Sequence, residues 1–266
     1  MTEPAADGAC VRLEVANGLA SVILDRPRNG NAIDLALARD LMTALHACER
    51  DRSVRVVELR GEGRLFCAGG DLAAIRANGE EAPAYVRSLL VHLHEAISAI
   101  ARIPVPVVAR VHGAAAGAGL ALAASCDLVV AAQSSRFLMA YSRVGLTPDG
   151  SSTWFLPRLI GVRRALELAL TNRELSAAEA LDWGLVNEVV ADERLDERMA
   201  GLMGELVAGP SDAVGETKRL LRASLSESLE TQMVHEMQAI TGALATPEAR
   251  EGLAAFLEKR PPNFRL

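Results

Sequence analysis

The chain has 266 residues, of which 50% are hydrophobic and 3% aromatic, and its formal net charge at pH 7 is −6. This length suffices for one large domain, or for a core with a small appendage, with a substantial buried interior. The negative net charge argues against a nucleic-acid-binding protein, which neutralises phosphates with clustered Lys and Arg; a local basic pocket for a small phosphate ligand is still compatible with it.

The sequence also argues against a secreted, membrane-spanning or metal-binding protein. The first ten residues lack the basic start and apolar run of a secretory signal. The longest uncharged run, Val111 to Cys126, is shorter than the roughly 20 residues that span a bilayer, so we interpret it as a buried segment. Four cysteines without Cys-x-x-Cys or metal-ligand spacing predict free thiols in a cytoplasmic protein: Cys10, Cys48, Cys67 and Cys126.

Predicted strands and helices alternate in the first part of the chain. Residues 11–24 alternate apolar and polar side chains around Asn17-Gly18, a dipeptide that favours the positive φ angles of a tight hairpin turn. Residues 31–51 carry apolar side chains at three- and four-residue spacing, which predicts an amphipathic helix. Residues 54–63 and 105–113 are β-branched runs that end at glycine, which is typical of buried strands.

The second part of the chain becomes increasingly helical. Residues 114–127 predict a buried helix entered through a glycine-rich turn, and two short strands are expected within 128–140. Helices are expected at 152–161, 162–172 and 176–184, followed by three longer amphipathic segments between Glu193 and Lys259. This order predicts an α/β core in residues 1–207 and a helical C-terminal region in residues 208–266.

Two glycine-rich turns, "CAGGDL" at 67–72 and "GAAAGAGLAL" at 113–122, each lie between a predicted strand and a predicted helix. Small residues let a ligand approach backbone N–H groups, and a helix N-terminus adds partial positive charge. Two such N–H groups converging on one point would form an oxyanion hole. The alternative is plain close packing of helix on sheet, since neither turn fits a dinucleotide or phosphate-loop pattern.

Five ordered segments resemble the enoyl-CoA hydratase/isomerase (crotonase) superfamily, and together they cover nearly the whole chain: 24–34, 61–72, 111–132, 170–190 and 256–264. The resemblance implies a crotonase-like spiral of β-β-α units with a C-terminal helical trimerisation region. It implies an acyl-CoA thioester as the ligand and a homotrimer or homohexamer as the assembly. It also implies that no metal or redox cofactor is needed, because CoA is part of the substrate.

The same resemblance implies the site residues. The backbone N–H groups of Ala68 and Ala118 would hold the thioester oxygen, each contributing about 3 kcal/mol as charge builds on it. Tyr141 would line the acyl pocket, and Phe256 and Lys259 would reach the CoA of a neighbouring subunit. The CoA side of the site, with the phosphates near Arg26, would be formed by Arg26, Asn31, Ala32, Gly69, Gly70 and Asp71.

The chain departs from the family pattern where hydratases carry two glutamates that add water. Alignment through the second glycine turn places Ala121 at the first glutamate, and alignment through 137–146 places Tyr141 at the second. Alanine cannot carry a proton, and tyrosine, with an ordinary pKa near 10, is a poor base at neutral pH. The usual hydration machinery is therefore absent.

One acid remains in this neighbourhood, Asp149. The segment 144–161 resembles the branch that isomerises double bonds or rings, including the ring-epoxide isomerase of phenylacetyl-CoA degradation, and this implies that Asp149 shuttles the proton. Burial beside Val144, Leu146 and Trp154 would raise its pKa towards neutrality. The alternative is structural, since Pro-Asp-Gly is a common turn and Asp a favoured helix N-cap.

The leading interpretation is therefore an acyl-CoA isomerase that uses Asp149 as its acid and base. Three alternatives stay open at this point. Asp149 could be a nucleophile, as in aromatic acyl-CoA dehalogenases; a hydratase or lyase could use other residues; or the protein could be a non-catalytic acyl-CoA-binding oligomer. His92, His94 and Glu95 lie on a predicted helix without metal-site spacing, so no metal site is predicted there.

Overall fold

The computed structural model describes residues 8–264. Nine strands lie in this range: β1 (Val11–Ala16), β2 (Leu19–Leu24), β3 (Val56–Gly61), β4 (Val107–Val111), β5 (Ala114–Ala116), β6 (Leu128–Ala132), β7 (Arg136–Leu138), β8 (Leu175–Ser176) and β9 (Glu188–Val190). The main sheet has the order β1-β2-β3-β4-β6-β9, and a smaller sheet has the order β5-β7-β8. In the main sheet only the β1–β2 pair is antiparallel.

Eleven α-helices lie in the same range: α1 (Leu35–Arg50), α2 (Leu72–Ala77), α3 (Ala82–Arg102), α4 (Ala118–Ser125), α5 (Ser152–Ile160), α6 (Val162–Thr171), α7 (Ala177–Asp182), α8 (Leu195–Ala208), α9 (Ser211–Ala223), α10 (Leu229–Ala243) and α11 (Pro247–Glu258). Within the described residues, none of them is long and apolar enough to cross a membrane.

The chain winds as a spiral, because the inner strands β3, β4 and β6 are each followed by a short segment in or bridged to the smaller sheet. β4 leads into β5 and β6 into β7, which pair in parallel. After β3, Cys67 forms a parallel bridge to Ala115 of β5. The segment around Cys67 therefore has the same position in its turn of the spiral as β5 has in the next turn. Helices then return the chain to the main sheet, and the expected β-β-α units are confirmed.

Both faces of the main sheet are covered, which explains why its parallel strands are apolar throughout. On one face, α1 and α3 contact each other and contribute buried leucines and isoleucines to the large core. On the other face, Met199 and Met203 of α8 pack against Val56, Val108 and Val130. The helix α8 therefore belongs to the layered core rather than to the exposed helices that follow it.

The predicted elements differ from the structure mainly where elements are short. The hairpin turn is confirmed, with φ of 52° at Asn17 and 88° at Gly18. The strands β5, β8 and β9 were not expected, because two or three residues are too few to show alternation. The expected three helical segments after Glu193 are four helices, because the helical structure breaks at Gly209-Pro210, at 224–228 and at 244–246. The boundary expected at 207/208 falls at the end of α8.

Candidate active site

The two glycine-rich turns are in direct contact. A Cβ atom added to Gly69 would lie 2.7 Å from the Ala116 carbonyl oxygen and 3.5 Å from the Ala118 nitrogen. A Cβ atom added to Gly119 would lie 2.4 Å from the Cys67 carbonyl oxygen. Because any side chain at these two positions would force the backbones apart, glycine allows the first turn to approach the N-terminus of α4.

This contact brings two unpaired backbone N–H groups close together. Among the described residues, the N–H groups of Gly70 and Ala118 have no hydrogen-bond acceptor. Ala118 is the first residue of α4, where backbone N–H groups lack partners within the helix. Such a pair of donors, with the helix dipole behind one of them, is suited to hold a developing oxyanion.

The structure replaces one of the two predicted donors. The N–H of Ala68 donates to the Gly30 carbonyl at 2.9 Å, so it is already used. Gly70 bridges to Ile33 in parallel fashion, and that bridge uses the Gly69 carbonyl and the Asp71 N–H, leaving the Gly70 N–H on the opposite side of the strand. The donor pair is therefore Gly70 and Ala118 rather than Ala68 and Ala118.

Arg26, expected near the CoA phosphates, instead connects three segments of the protein. Its guanidinium group lies 3.1 Å from an Asp34 carboxylate oxygen and 3.2 Å from one of Asp71, and it also donates to the Ala32 carbonyl at 2.5 Å. Its side chain is only 18% exposed. Two carboxylates neutralise this cation, so its charge is not available for a phosphate. Asp71 in addition caps α2 by accepting from the Ala74 N–H at 3.0 Å.

Asn31 likewise has a structural role. It is fully buried, and its φ of 55° is in the left-handed region that Asn tolerates. Its amide oxygen accepts from the Arg26 N–H, and its amide nitrogen donates to the carbonyls of Glu62, Leu65 and Phe66. Every polar atom of the side chain is used to shape the loop, and none is left for a ligand.

Asp149 accepts a hydrogen bond from Tyr141, whose hydroxyl donates to Oδ1 at 2.6 Å. Its other carboxylate oxygen, Oδ2, has no partner among the described residues. The predicted helix cap is wrong for the Asp149 side chain, because α5 begins at Ser152, its N-cap is Ser151, and no cap hydrogen bond comes from a side chain. Only the Asp149 carbonyl meets the helix, accepting from the N–H and hydroxyl of Ser152.

Burial raises the pKa of the Asp149 carboxyl above its ordinary value, and the Tyr141 hydrogen bond and the electrostatic influence of His94 oppose this rise by smaller amounts. Burial and the nearby Asp149 charge raise the pKa of Tyr141 as well, so the phenol stays protonated and acts as a donor. His94, on α3, was considered from the sequence only as a metal ligand. Its electrostatic influence on Asp149 depends on how α3 packs, so no pattern in the sequence indicates it.

Ala121, where hydratases carry their first glutamate, faces the turn that contains Asp149. A Cβ atom added to Gly150 would lie 3.2 Å from the Ala121 Cβ, 3.6 Å from Ile97 Cδ1 and 3.9 Å from Leu93 Cδ2. Ala121 itself is fully buried. The Asp149 turn therefore closes the space beside Ala121, and the surrounding wall is apolar. The other apolar residues expected to surround Asp149 are 39–50% exposed: Val144, Leu146 and Trp154.

Phe256 and Lys259 do not join this site within the chain. They lie at the end of α11, and Phe256 is 82% exposed. The start of α11 is held at the N-terminal end of β3 by an ion pair between Glu248 and Arg55 of 3.6 Å, whereas the site follows the C-terminal end of that strand. A role in a neighbouring subunit stays a prediction. Within residues 8–264, no group of three His, Cys, Asp or Glu side chains is arranged to hold a metal ion.

Comparison with known proteins identifies the family. The model of the enoyl-CoA hydratase/isomerase family matches residues 14–265. A protein of Rhodobacter capsulatus named "probable enoyl-CoA hydratase" is 40% identical over 255 residues, covering 96% of this chain and 97% of that protein. The 1,2-epoxyphenylacetyl-CoA isomerase of Escherichia coli is 37% identical over 251 residues, covering 94% and 96%. The 4-chlorobenzoyl coenzyme A dehalogenase-2 of an Arthrobacter species is 35% identical over 250 residues, covering 94% and 91%.

Solved structures agree with this result. The crystal structure of an enoyl-CoA hydratase from Polaromonas sp. JS666 superimposes with a TM-score of 0.91 at 36% identity, covering 96% of this chain and 99% of that one. The fold is thus shared along nearly the full length of both chains. The protein belongs to the enoyl-CoA hydratase/isomerase (crotonase) family.

Proposed function

We propose that the protein is an acyl-CoA isomerase, which shifts a double bond or rearranges a ring on a CoA thioester. The observation that carries this proposal is the carboxylate of Asp149, which has one free oxygen and is bound through Tyr141 to the place where the two donor turns meet. A Cβ atom added to Gly117 would lie 3.8 Å from Gly69 Cα and 3.9 Å from Tyr141 Cε2. No second carboxylate stands at position 121. Hydration requires a base for water and an acid for carbon, whereas isomerisation needs one group that removes a proton and returns it.

In the proposed reaction, the N–H groups of Gly70 and Ala118 bind the thioester oxygen and stabilise the enolate formed when a proton leaves the adjacent carbon. Asp149 Oδ2 takes that proton and delivers it to another carbon. The Tyr141 hydroxyl holds Oδ1, so the carboxylate presents Oδ2 to the substrate. Because burial raises its pKa above the ordinary value, Asp149 holds the transferred proton more readily than an exposed carboxylate would.

We propose that Arg28 and Arg64 meet the CoA phosphates in place of Arg26. Both are exposed and form no ion pair with any described residue. Their loops are adjacent, since a Cβ atom added to Gly63 would lie 2.7 Å from Pro27 Cβ. The reaction is a proton transfer, so it needs neither a metal nor a redox cofactor.

We also propose a homotrimer or homohexamer in the cytoplasm, with residues 1–207 forming the acyl-CoA site and 208–266 the assembly region. Support comes from α10 and α11, which in the single chain expose large apolar side chains to water, and contacts between chains would bury them. These side chains are Leu229, Met233, Met237, Ile240, Leu253, Phe256 and Leu257. A monodisperse monomer in light scattering at micromolar concentration would contradict this assembly.

The activity is tested by incubating the protein separately with 3-hexenoyl-CoA and with crotonyl-CoA and following the absorbance of the conjugated enoyl thioester. An isomerase raises the signal with 3-hexenoyl-CoA and leaves crotonyl-CoA unchanged. A hydratase lowers the signal with crotonyl-CoA, and that result would contradict the proposal. No change with either substrate, on protein shown by calorimetry to bind CoA, would favour a ring substrate or the non-catalytic binder.

A second candidate is nucleophilic displacement of a ring substituent by Asp149. The free Oδ2 atom favours it, because a nucleophilic carboxylate oxygen must be unpaired. Attack by Oδ2 on the ring expels the substituent and leaves an aspartyl ester, and a neutral imidazole such as that of His94, which acts electrostatically on Asp149, could take a proton from the water that releases it. Chloride release from 4-chlorobenzoyl-CoA tests this candidate, and mass spectrometry of the rapidly quenched protein detects the ester on Asp149.

A further inference from the structure

The helix α9 is attached to the core through a buried lysine. Lys218 and Lys259 are the only lysines among 28 Lys and Arg residues. Lys218 is 9% exposed, and its Nζ donates to the carbonyls of Ile100 at 2.7 Å and Val105 at 3.1 Å. It also lies 2.6 Å from Asp127 Oδ2. The compact ammonium group has an acceptor for each of its three N–H bonds, which a planar guanidinium could not match here.

A glycine in α9 makes this contact possible. A Cβ atom added to Gly215 would lie 2.2 Å from the Pro104 carbonyl oxygen, so only glycine lets the helix approach the segment between α3 and β4. Glycine is unfavourable inside helices. Its position three residues before Lys218 therefore marks a close approach that brings the ammonium group to its acceptors.

One helical turn further on, Arg222 reaches two other helices. Its guanidinium donates at 2.9 Å to the carbonyl of Ser125, the last residue of α4, and at 2.9 Å to Asp127 Oδ1. The same group lies 5.1 Å from the ring centroid of Phe155, a buried residue of α5. Asp127 also accepts from the Val107 N–H of β4 at 2.9 Å, so it links α9 to the main sheet.

These two helices carry the two halves of the proposed site. The first residue of α4 is Ala118, whose N–H is one of the free donors, and all eight residues of the helix are buried. The helix α5 begins three residues after Asp149 and contacts α4. A rigid helix of eight residues, about 12 Å long, transmits a displacement of its C-terminal end to its first N–H group.

We propose that Lys218 and Arg222 are positioning residues, which hold α4 and α5 in the relative placement that sets Ala118 N–H against Asp149. This inference rests on the proposed function. Reacting groups must be held within a fraction of an ångström, and a displacement of 1 Å can cost about 100-fold in rate. The C-terminal region would in this way contribute to turnover without touching the substrate.

The decisive variant is Arg222→Met, which keeps an apolar stem and leaves the Lys218–Asp127 ion pair in place. Lys218→Met is the second variant, although it leaves Asp127 without its closest cation. Arg219→Met is the matched control, because Arg219 lies on the same helix and is exposed, and its only ion pair with a described residue is to Glu216 at 2.8 Å. Amide hydrogen exchange and steady-state kinetics with the isomerase substrate are measured on the full-length protein.

For Arg222→Met we expect amide exchange in residues 117–122 and 147–153 to accelerate about tenfold or more, with residues 11–24 unchanged. We expect kcat to fall by about 10- to 100-fold with KM nearly unchanged, and the control to match the wild type. Unchanged exchange at both segments, or equal acceleration along the whole chain, would overturn the inference, whether or not Lys218→Met folds. If the wild type turns over no substrate, the proposed function fails. The amide exchange of Arg222→Met still shows whether Arg222 holds α4 and α5 in place.

Discussion

The Asp149→Asn variant tests the proposed chemistry most directly, because it removes the base and little else. The amide has the size of the carboxylate, and its oxygen can still accept from the Tyr141 hydroxyl, which lies 2.6 Å from Oδ1 in the wild type. The start of α5 depends on the carbonyl of residue 149 and on Ser152, which the substitution does not alter.

Loss of a general base costs about 100- to 10,000-fold in rate, which corresponds to about 3 to 5 kcal/mol of transition-state stabilisation. We expect kcat to fall by at least about 100-fold. The affinity for acyl-CoA should be nearly unchanged, because the proposed oxygen contacts come from the N–H groups of Gly70 and Ala118 rather than from the carboxylate.

The same variant should gain stability at neutral pH. Burial raises the folded-state pKa of Asp149 above the ordinary value near 3.9, so ionisation of this group opposes folding. The stability that the protonated carboxyl contributes is fully present below the pKa of Asp149 in the unfolded chain. It is lost as the pH rises through the pKa of Asp149 in the folded protein. Asp149→Asn should therefore melt above the wild type at pH 8 and close to it at acid pH.

The assay follows 3-hexenoyl-CoA isomerisation by the absorbance of the conjugated thioester, and thermal unfolding is measured at both pH values. Asp192→Asn is the control, since Asp192 is exposed and accepts a hydrogen bond from the Ser134 N–H at 2.9 Å. A fully active Asp149→Asn protein on a confirmed substrate would refute the role of Asp149 and leave no candidate base. Lower stability than the wild type at pH 8 would refute the electrostatic reasoning.

Three further substitutions test the remaining parts of the site. Tyr141→Phe removes the hydrogen bond that lowers the pKa of Asp149, so the acid limb of the pH profile of kcat/KM should move to higher pH. An acid limb at the same pH as in the wild type would show that ionisation of Asp149 does not set it. Asn31→Ala removes the buried amide that donates to the carbonyls of Glu62, Leu65 and Phe66, and the free energy of unfolding in urea titrations should fall by about 3 kcal/mol. A loss confined to CoA affinity would instead restore the predicted ligand role of Asn31. Gly119→Ala places a Cβ atom 2.4 Å from the Cys67 carbonyl oxygen and should separate the two glycine-rich turns. We expect kcat to fall by about 100-fold in protein whose circular dichroism is unchanged. Full activity would contradict the importance of the contact between the turns.

Local patterns in the sequence determined much of the fold. The pair Asn17-Gly18 predicted the hairpin because few other dipeptides accept positive φ at both positions, and both residues have it. The apolar spacing after Asp34 predicted α1, whose N-cap is Asp34 itself. The absence of a carboxylate at 121 and the presence of Asp149 were likewise readable from the chain, since they depend only on residue type and order.

Tertiary structure alone decided which of these groups are free to act. Whether the N–H of Ala68 or of Gly70 is available depends on Gly30 and Ile33, which are distant in sequence and adjacent only after folding. The charge of Arg26 is cancelled by Asp71, 45 residues away. A hydrogen-bond donor, an acceptor or a cation can serve a ligand only if no protein group has already paired with it, and pairing across the chain is set by packing rather than by neighbouring residues.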